Sequence, residues 1–242
     1  MVCATPKRAQ SVFCCVRPPG HHAERNRSMG FCYVNNVAIG AKHAQAVHGM
    51  ERVAVLDFDV HHGNGTEEGF YSDDTLFYGS SHEQDNFPGT GDEPTRKGIH
   101  ATSTVFRRIV NRYLPSGSAS QKVFRSKWRE VIEEMIEFAP HLVIFSAGFD
   151  AHKDDPLGGC ALVEDDFEWA TRIVYDAAIT INPSSPPPII SALEGGYNML
   201  AISRSALAHV QAMEKGYPEP PAAGDEIAAL QRHMESIGLC DK

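Results

Sequence analysis

The run Val53-Ala54-Val55-Leu56, followed at once by Asp57-Phe58-Asp59-Val60-His61-His62-Gly63-Asn64, decides how the chain is read. A short apolar run with β-branched residues predicts a buried strand, so the polar residues stand at its C-terminal end. In open α/β sheets that end is where ligands bind. Carboxylates and imidazoles close to a core must be paired or bound to metal. A cation such as Zn²⁺ accepts both oxygen and imidazole nitrogen, and Asp59 and His61, two apart on an extended segment, point to the same side. A salt-bridged loop of Asp and His is the alternative that this stretch alone leaves open.

Further strands are expected on either side of this run. Ser11 to Val16 forms one that breaks at Arg17-Pro18-Pro19-Gly20, a rigid turn that fixes where His21 and His22 point. Leu142-Val143-Ile144-Phe145 delivers Ser146-Ala147-Gly148-Phe149-Asp150, and Ile189 to Leu193 delivers Glu194-Gly195-Gly196-Tyr197. Helical spacing is expected from Val34 to Val47, capped by Gly49, from Val123 to Ala139, ended by Pro140, and from Glu164 to Ile181, closed by Asn182-Pro183. Two more helical patterns lie at about 203 to 215 and 225 to 237. Residues 61 to 100 read as a long Gly-, Asp- and Ser-rich loop, of a length that is more often functional than idle. The stretch 101 to 122 reads as irregular, with Arg107, Arg108 and Arg112 on a solvated face. No repeat or linker divides residues 1–242, so the expectation is one doubly wound α/β domain, a mostly parallel sheet flanked by helices.

In such a sheet the four strand ends share one edge, which brings His21, His22, Asp57, Asp59, His61, Asp150 and Tyr197 within reach of one another. Asp150 is the candidate third ligand, since three protein ligands leave zinc an open position for water and substrate. Gly195-Gly196 gives the backbone freedom to present the Tyr197 hydroxyl.

Composition excludes several classes. The net charge of −9 argues against a surface built on phosphate contacts. No apolar run approaches the ~18 residues of a membrane span, and Met1 to Gln10 lacks the apolar region of a signal peptide. The six cysteines show no C-x-x-C spacing, which points to reduced thiols in an intracellular protein, nuclear or cytoplasmic.

These residues carry a resemblance to the zinc-dependent histone deacetylases, the class II branch in particular. The matching stretches are Arg17 to Glu24, Met29-Gly30-Phe31-Cys32, Asn35-Asn36-Val37-Ala38, Asp57 to Thr66, Pro88-Gly89-Thr90-Gly91, Ser146 to Ala151, Asp155-Pro156-Leu157-Gly158-Gly159 and Leu193 to Asn198, in family order from about residue 11 to 216. The resemblance implies an arginase-like α/β fold with Zn²⁺ on Asp59, His61 and Asp150, and removal of acetyl groups from acetyl-lysine of histones or other proteins. It implies His22 as general base, His21 as electrostatic or proton-transfer partner, Asp57 orienting His21, Asn64 against His22 as in class II, and Tyr197 as oxyanion donor. Phe31 and Phe87 match the walls of a narrow tunnel, and Gly30 lets the lysine stem approach the backbone. Leu157 matches a rim position where polyamine-selective relatives carry Glu, which disfavours a cationic polyamine. A structural K⁺ is implied at Asp57 with backbone carbonyls near Asp59, His61 and Ser81. The implied partners are an acetylated protein and a corepressor-type complex, without direct nucleic-acid or membrane binding.

The family carries a long segment before the Arg-Pro-Pro-Gly turn that has no counterpart ahead of Arg17, so the expectation is a domain whose N-terminal part is missing. The competing reading is a catalytically weak or inactive truncated domain that serves as an interaction or acetyl-lysine binding module. A paired-manganese ureohydrolase of related fold fits less well, because two metals need more carboxylates.

Overall fold

The computed structural model describes residues 11–91 and 108–217. Their elements are β1 (Ser11–Cys14), α1 (Asn36–His48), β2 (Val53–Asp57), α2 (Asn64–Phe70), β3 (Leu76–Glu83), β4 (Ile109–Leu114), α3 (Ser118–Phe138), β5 (Leu142–Ala147), α4 (Glu164–Ile181), β6 (Ile189–Leu193) and α5 (Met199–Lys215). The strands form one sheet in the order β1-β6-β5-β2-β3-β4, every neighbouring pair parallel. The helical pattern at 225 to 237, Arg107, Cys3 and Cys240 lie outside the described residues.

Side chains alternate across β2 and meet two different layers. Ala54 and Leu56 pack with Phe124, Trp128 and Val131 of α3, with Phe167 and Val174 of α4 and with Met213 of α5. Val53 and Val55 pack with Val37, Ala41 and Ala44 of α1 and Phe70 of α2. Burial on both faces is what a near-continuous apolar strand calls for. Trp128 is wholly buried and donates its indole N–H to the Ala170 carbonyl at 3.1 Å, tying α3 to α4. No helix of the described residues is long and apolar enough to cross a membrane.

Two strands were not expected. The region read as a loop from 61 to 100 holds α2 and β3, and the irregular stretch from 101 to 122 holds β4 and the start of α3. Every residue of β3 is buried, including Ser80, Ser81, His82 and Glu83, because β2 and β4 flank it on both edges. Gly79 resembles a turn residue in sequence but is a packing necessity: a Cβ there would lie 2.4 Å from Val131 Cγ1. Arg112 does not belong to a solvated face; it is largely buried and donates to Glu130 at 2.6 Å.

Candidate active site

Strand order places the site. From β2 the chain moves outward through β3 and β4, then returns through α3 to β5 on the other side of β2. Such a reversal opens a crevice at the C-terminal ends of the two central strands. Asp57 stands in register with Ser146, and just beyond them the two strands deliver Asp59 and Asp150.

Asp59, His61 and Asp150 present ligand atoms that all lie within 4.8 Å of one another, and all three residues are buried. The Asp59 Oδ1 accepts the His61 N–H at 2.9 Å and its Oδ2 accepts the Gly195 N–H at 2.8 Å. Asp150 Oδ1 accepts the Val60 N–H at 2.9 Å. Its other oxygen is buried without a hydrogen bond, although His61 Nδ1 is 3.2 Å away. That same nitrogen is 3.1 Å from Asp59 Oδ1. Gly148 and Gly195 leave the space these carboxylates occupy: a Cβ on the first would lie 1.9 Å from Asp59 Oδ2, and on the second 2.0 Å from Asp150 Oδ2. Two buried carboxylates and one imidazole, with an oxygen left unpaired, fit a divalent cation.

The electrostatics agree. Burial first, and the charge of Asp59 second, push the Asp150 carboxyl up to about 7. Burial opposes a charged His61, but the carboxylates of Asp150 and Asp59 beside its Nδ1 outweigh it and raise the imidazole to about 11. Burial likewise opposes the Asp59 carboxylate, which His21 and His61 hold below the usual range. Positive charge between the two carboxylates is thus strongly favoured.

The Pro-Pro-Gly turn after β1 brings in the two histidines, whose rings stand 4.0 Å apart. Its backbone is held from across the sheet, where the Glu194 Oε2 accepts the N–H of Gly20 at 2.6 Å and of His21 at 3.1 Å. His21 Nδ1 is hydrogen-bonded to Asp57 Oδ2 at 3.0 Å, and Tyr78 donates its hydroxyl to the same oxygen at 3.0 Å. Burial works against charge on His21, yet Asp59 and Asp57 raise it to about 10. His22 Nδ1 meets Asn64 Oδ1 at 2.8 Å, and the Asn64 Nδ2 donates to Glu24 Oε1 at 2.6 Å. Glu24 therefore fixes which way the amide points, Asn64 accepts, and the His22 proton sits on Nδ1 with Nε2 free to take another. Burial first, and the neighbouring His21 charge second, push His22 down to about 2.

A cavity of about 440 Å³ opens onto these groups, lined by His22, Gly30, Phe31, His61, Asn86, Phe87, Leu157 and Tyr197. Phe87 stands edge-on to His22 at 5.0 Å, and the Phe31 ring is 5.7 Å from that of Tyr197. Gly30 has a positive φ of 54° and a Cβ there would fall 2.2 Å from His22 Cδ2, so no other residue fits. Burial, with Asp59 and Asp150 nearby, raises the Tyr197 phenol above its ordinary value and keeps it a protonated donor.

Every residue singled out in the sequence is thus at this crevice or its rim, with one exception from the opening stretch. His62 turns away and is hydrogen-bonded to Glu67 Oε2 and Thr90 Oγ1, both at 2.8 Å. Glu194, Tyr78, Glu24 and Asn86 were not singled out as site residues. Glu194 and Glu24 lie inside the matched motifs, whereas nothing local distinguishes Tyr78 or Asn86.

Residues 2–213 match the histone deacetylase domain family. The chain is 37% identical over 220 residues to the chloroplastic histone deacetylase 10 of Oryza sativa subsp. japonica, which covers 90% of this chain and 47% of that protein. It therefore spans about half the length of that relative. Among solved structures, the HD domain of HDA15 superposes with a TM-score of 0.71 at 32% identity, covering 94% of this chain and 63% of that one. An acetylpolyamine aminohydrolase from Burkholderia pseudomallei superposes at 0.72 with 31% identity, covering 84% and 56%. Its parallel sheet and flanking helices are the deacetylase and arginase-like fold, and the chain belongs to the histone deacetylase family.

Proposed function

We propose that the protein is a zinc-dependent hydrolase that removes the acetyl group from acetyl-lysine side chains of histones or other proteins. The observation that carries this is the buried Asp59, His61 and Asp150 cluster opening onto an aromatic-walled cavity that also presents His22 and Tyr197. The two carboxylates and one imidazole would hold Zn²⁺, which as a Lewis acid polarises an acyl oxygen and makes a bound water more acidic. His22 Nε2 takes a proton from the attacking water as its oxygen bonds to the acyl carbon. The Tyr197 hydroxyl donates to the oxygen that becomes negative, a contribution of roughly 3 to 4 kcal/mol for one such donor. Protonated His22 then gives its proton to the lysine nitrogen as the C–N bond breaks, leaving the free amine and acetic acid, which releases its proton to give acetate. His21, paired with Asp57, supplies positive charge beside this step.

The walls Phe31 and Phe87 suit the apolar stem of acetyl-lysine. Apolar Leu157 at the rim favours a peptide over the polyamine named for one structural neighbour. A structural K⁺ at Asp57, with backbone carbonyls near Asp59, His61 and Ser81, is part of the same reading. An acetylated protein and a corepressor-type complex in the nucleus or cytoplasm complete the proposal. The test is turnover of a fluorogenic acetyl-lysine peptide and of an acetylated polyamine, with and without a hydroxamate, alongside the bound metal content. Hydroxamate-sensitive turnover of the peptide is expected. Preference for the polyamine overturns the substrate class, and stoichiometric zinc without turnover identifies a binding module.

A further inference from the structure

Resting on that reading of Tyr197, we propose that Asp155, which the mechanism does not use, is the positioning residue that sets the Tyr197 hydroxyl in the cavity. Tyr197 lies between the end of β6 and the start of α5, directly after Gly196, whose φ of 127° only glycine adopts easily. The sheet hydrogen-bonding that orients β6 has ended by this point, so another group must hold the backbone. Arg17 Nη2 holds the preceding Gly196 carbonyl at 2.8 Å, and the Asp155 carboxylate holds the N–H groups that follow: Oδ2 accepts the Tyr197 N–H at 2.7 Å and the Asn198 N–H at 3.2 Å, while Oδ1 accepts the Leu157 N–H at 3.0 Å.

Asp155 is itself on a firm platform. It is 7% exposed, and its N–H donates to the His152 carbonyl at 2.9 Å. Its loop is closed on itself by Lys153 N to Leu162 O at 3.0 Å and Leu162 N to Ala151 O at 3.1 Å. Farther along, Gly159 N donates to the buried Glu83 Oε2 at 2.8 Å, which anchors the loop to β3. From the other side Asn198 Nδ2 donates to the Asp154 carbonyl at 2.9 Å, and Asn198 Oδ1 caps α5 at Leu200 and Ala201. One carboxylate thus joins the rim residue Leu157 to the hydroxyl donor Tyr197, and both line the cavity.

A double-mutant cycle on the full 242-residue protein tests this, using turnover of an acetyl-lysine peptide with melting and zinc content as controls. Asp155→Asn keeps the shape but has one accepting oxygen where the carboxylate has two, so it cannot accept from Leu157 and from Tyr197 at once. It is expected to lower kcat between ~10- and ~100-fold, as expected for a slightly misplaced group, with KM and zinc content unchanged. In the Tyr197→Phe background the same change is expected to cost less than about twofold, because the group it positions is gone. If Asp155→Asn does not fold, Asp155→Glu, which keeps the charge and shifts the carboxylate, is read through the same cycle. A full multiplicative loss in the Tyr197→Phe background, or a loss confined to KM, overturns the positioning role while leaving the donor role intact. Unchanged turnover of Tyr197→Phe alone overturns the donor role and this inference with it.

Discussion

Asp150 shows most directly how one residue's surroundings dictate its chemistry. Its Oδ1 has a backbone donor, its Oδ2 has none, and both are buried beside a second carboxylate. Without a cation this arrangement costs free energy, because a buried charge must be neutralised or paired. Asp150→Asn preserves shape and can still accept from Val60 while removing one negative charge. The expected outcome is loss of stoichiometric zinc by atomic emission, with a metal-free melting temperature no lower than that of the metal-free parent. Full zinc occupancy in this variant would show that Asp150 is not a ligand.

At the scale of elements, helix termini and a buried histidine make measurable contributions. Asn35 caps α1 by accepting from Ala38 N at 3.0 Å, and its Nδ2 donates to Thr66 Oγ1 on α2 at 3.0 Å. Asn35→Ala removes both, and a destabilisation of about 1 to 2 kcal/mol is expected from urea unfolding. On α5, His209 is wholly buried among Phe13, Phe58, Phe145 and Phe149, with Thr171 Oγ1 at 2.6 Å and Ser191 Oγ at 2.8 Å. Burial pushes its pKa down from 6.5 to about 3. Between those values the unfolded chain binds a proton that the folded chain refuses, so stability rises with pH. The His209 contribution is complete above about pH 6.5 and is lost as pH falls towards 3. In His209→Asn, which does not titrate, the slope of melting temperature against pH from about 4 to 6 should be shallower than in the parent. Equal slopes would show that His209 is not the group responsible.

For the molecule as a whole, the candidate cation site lies at the ends of the two central strands, so metal binding there would be linked to global stability. A ligand that binds only the folded state adds about 4 kcal/mol at a thousandfold excess over its Kd. For a chain of this size that corresponds to on the order of 10 °C in melting temperature. Treatment with a chelator is expected to produce a fall of that order, reversed by added zinc. Melting that ignores both would place the metal outside the folded core.

What the sequence determined by itself is the crevice and most of the residues that line it. The apolar run Val53 to Leu56 and the adjacent Asp59 and His61 are local, as are the turn that ends in His21 and His22 and the glycines before Tyr197. Apolar burial and turn chemistry both leave marks within a few residues. What only the tertiary structure decided are features whose cause is distant in sequence. The polar half of β3, Ser80 to Glu83, is buried because β2 and β4 supply its partners, and no local periodicity can report that. His62 looked equivalent to His61 and was separated from it by Glu67 and Thr90. The tautomer of His22 depends on Glu24 through Asn64, and the place of Tyr197 on a carboxylate 42 residues earlier in the chain. A hydrogen bond between distant residues satisfies a buried group without leaving any pattern in the residues beside it, so it is visible only once the chain is folded.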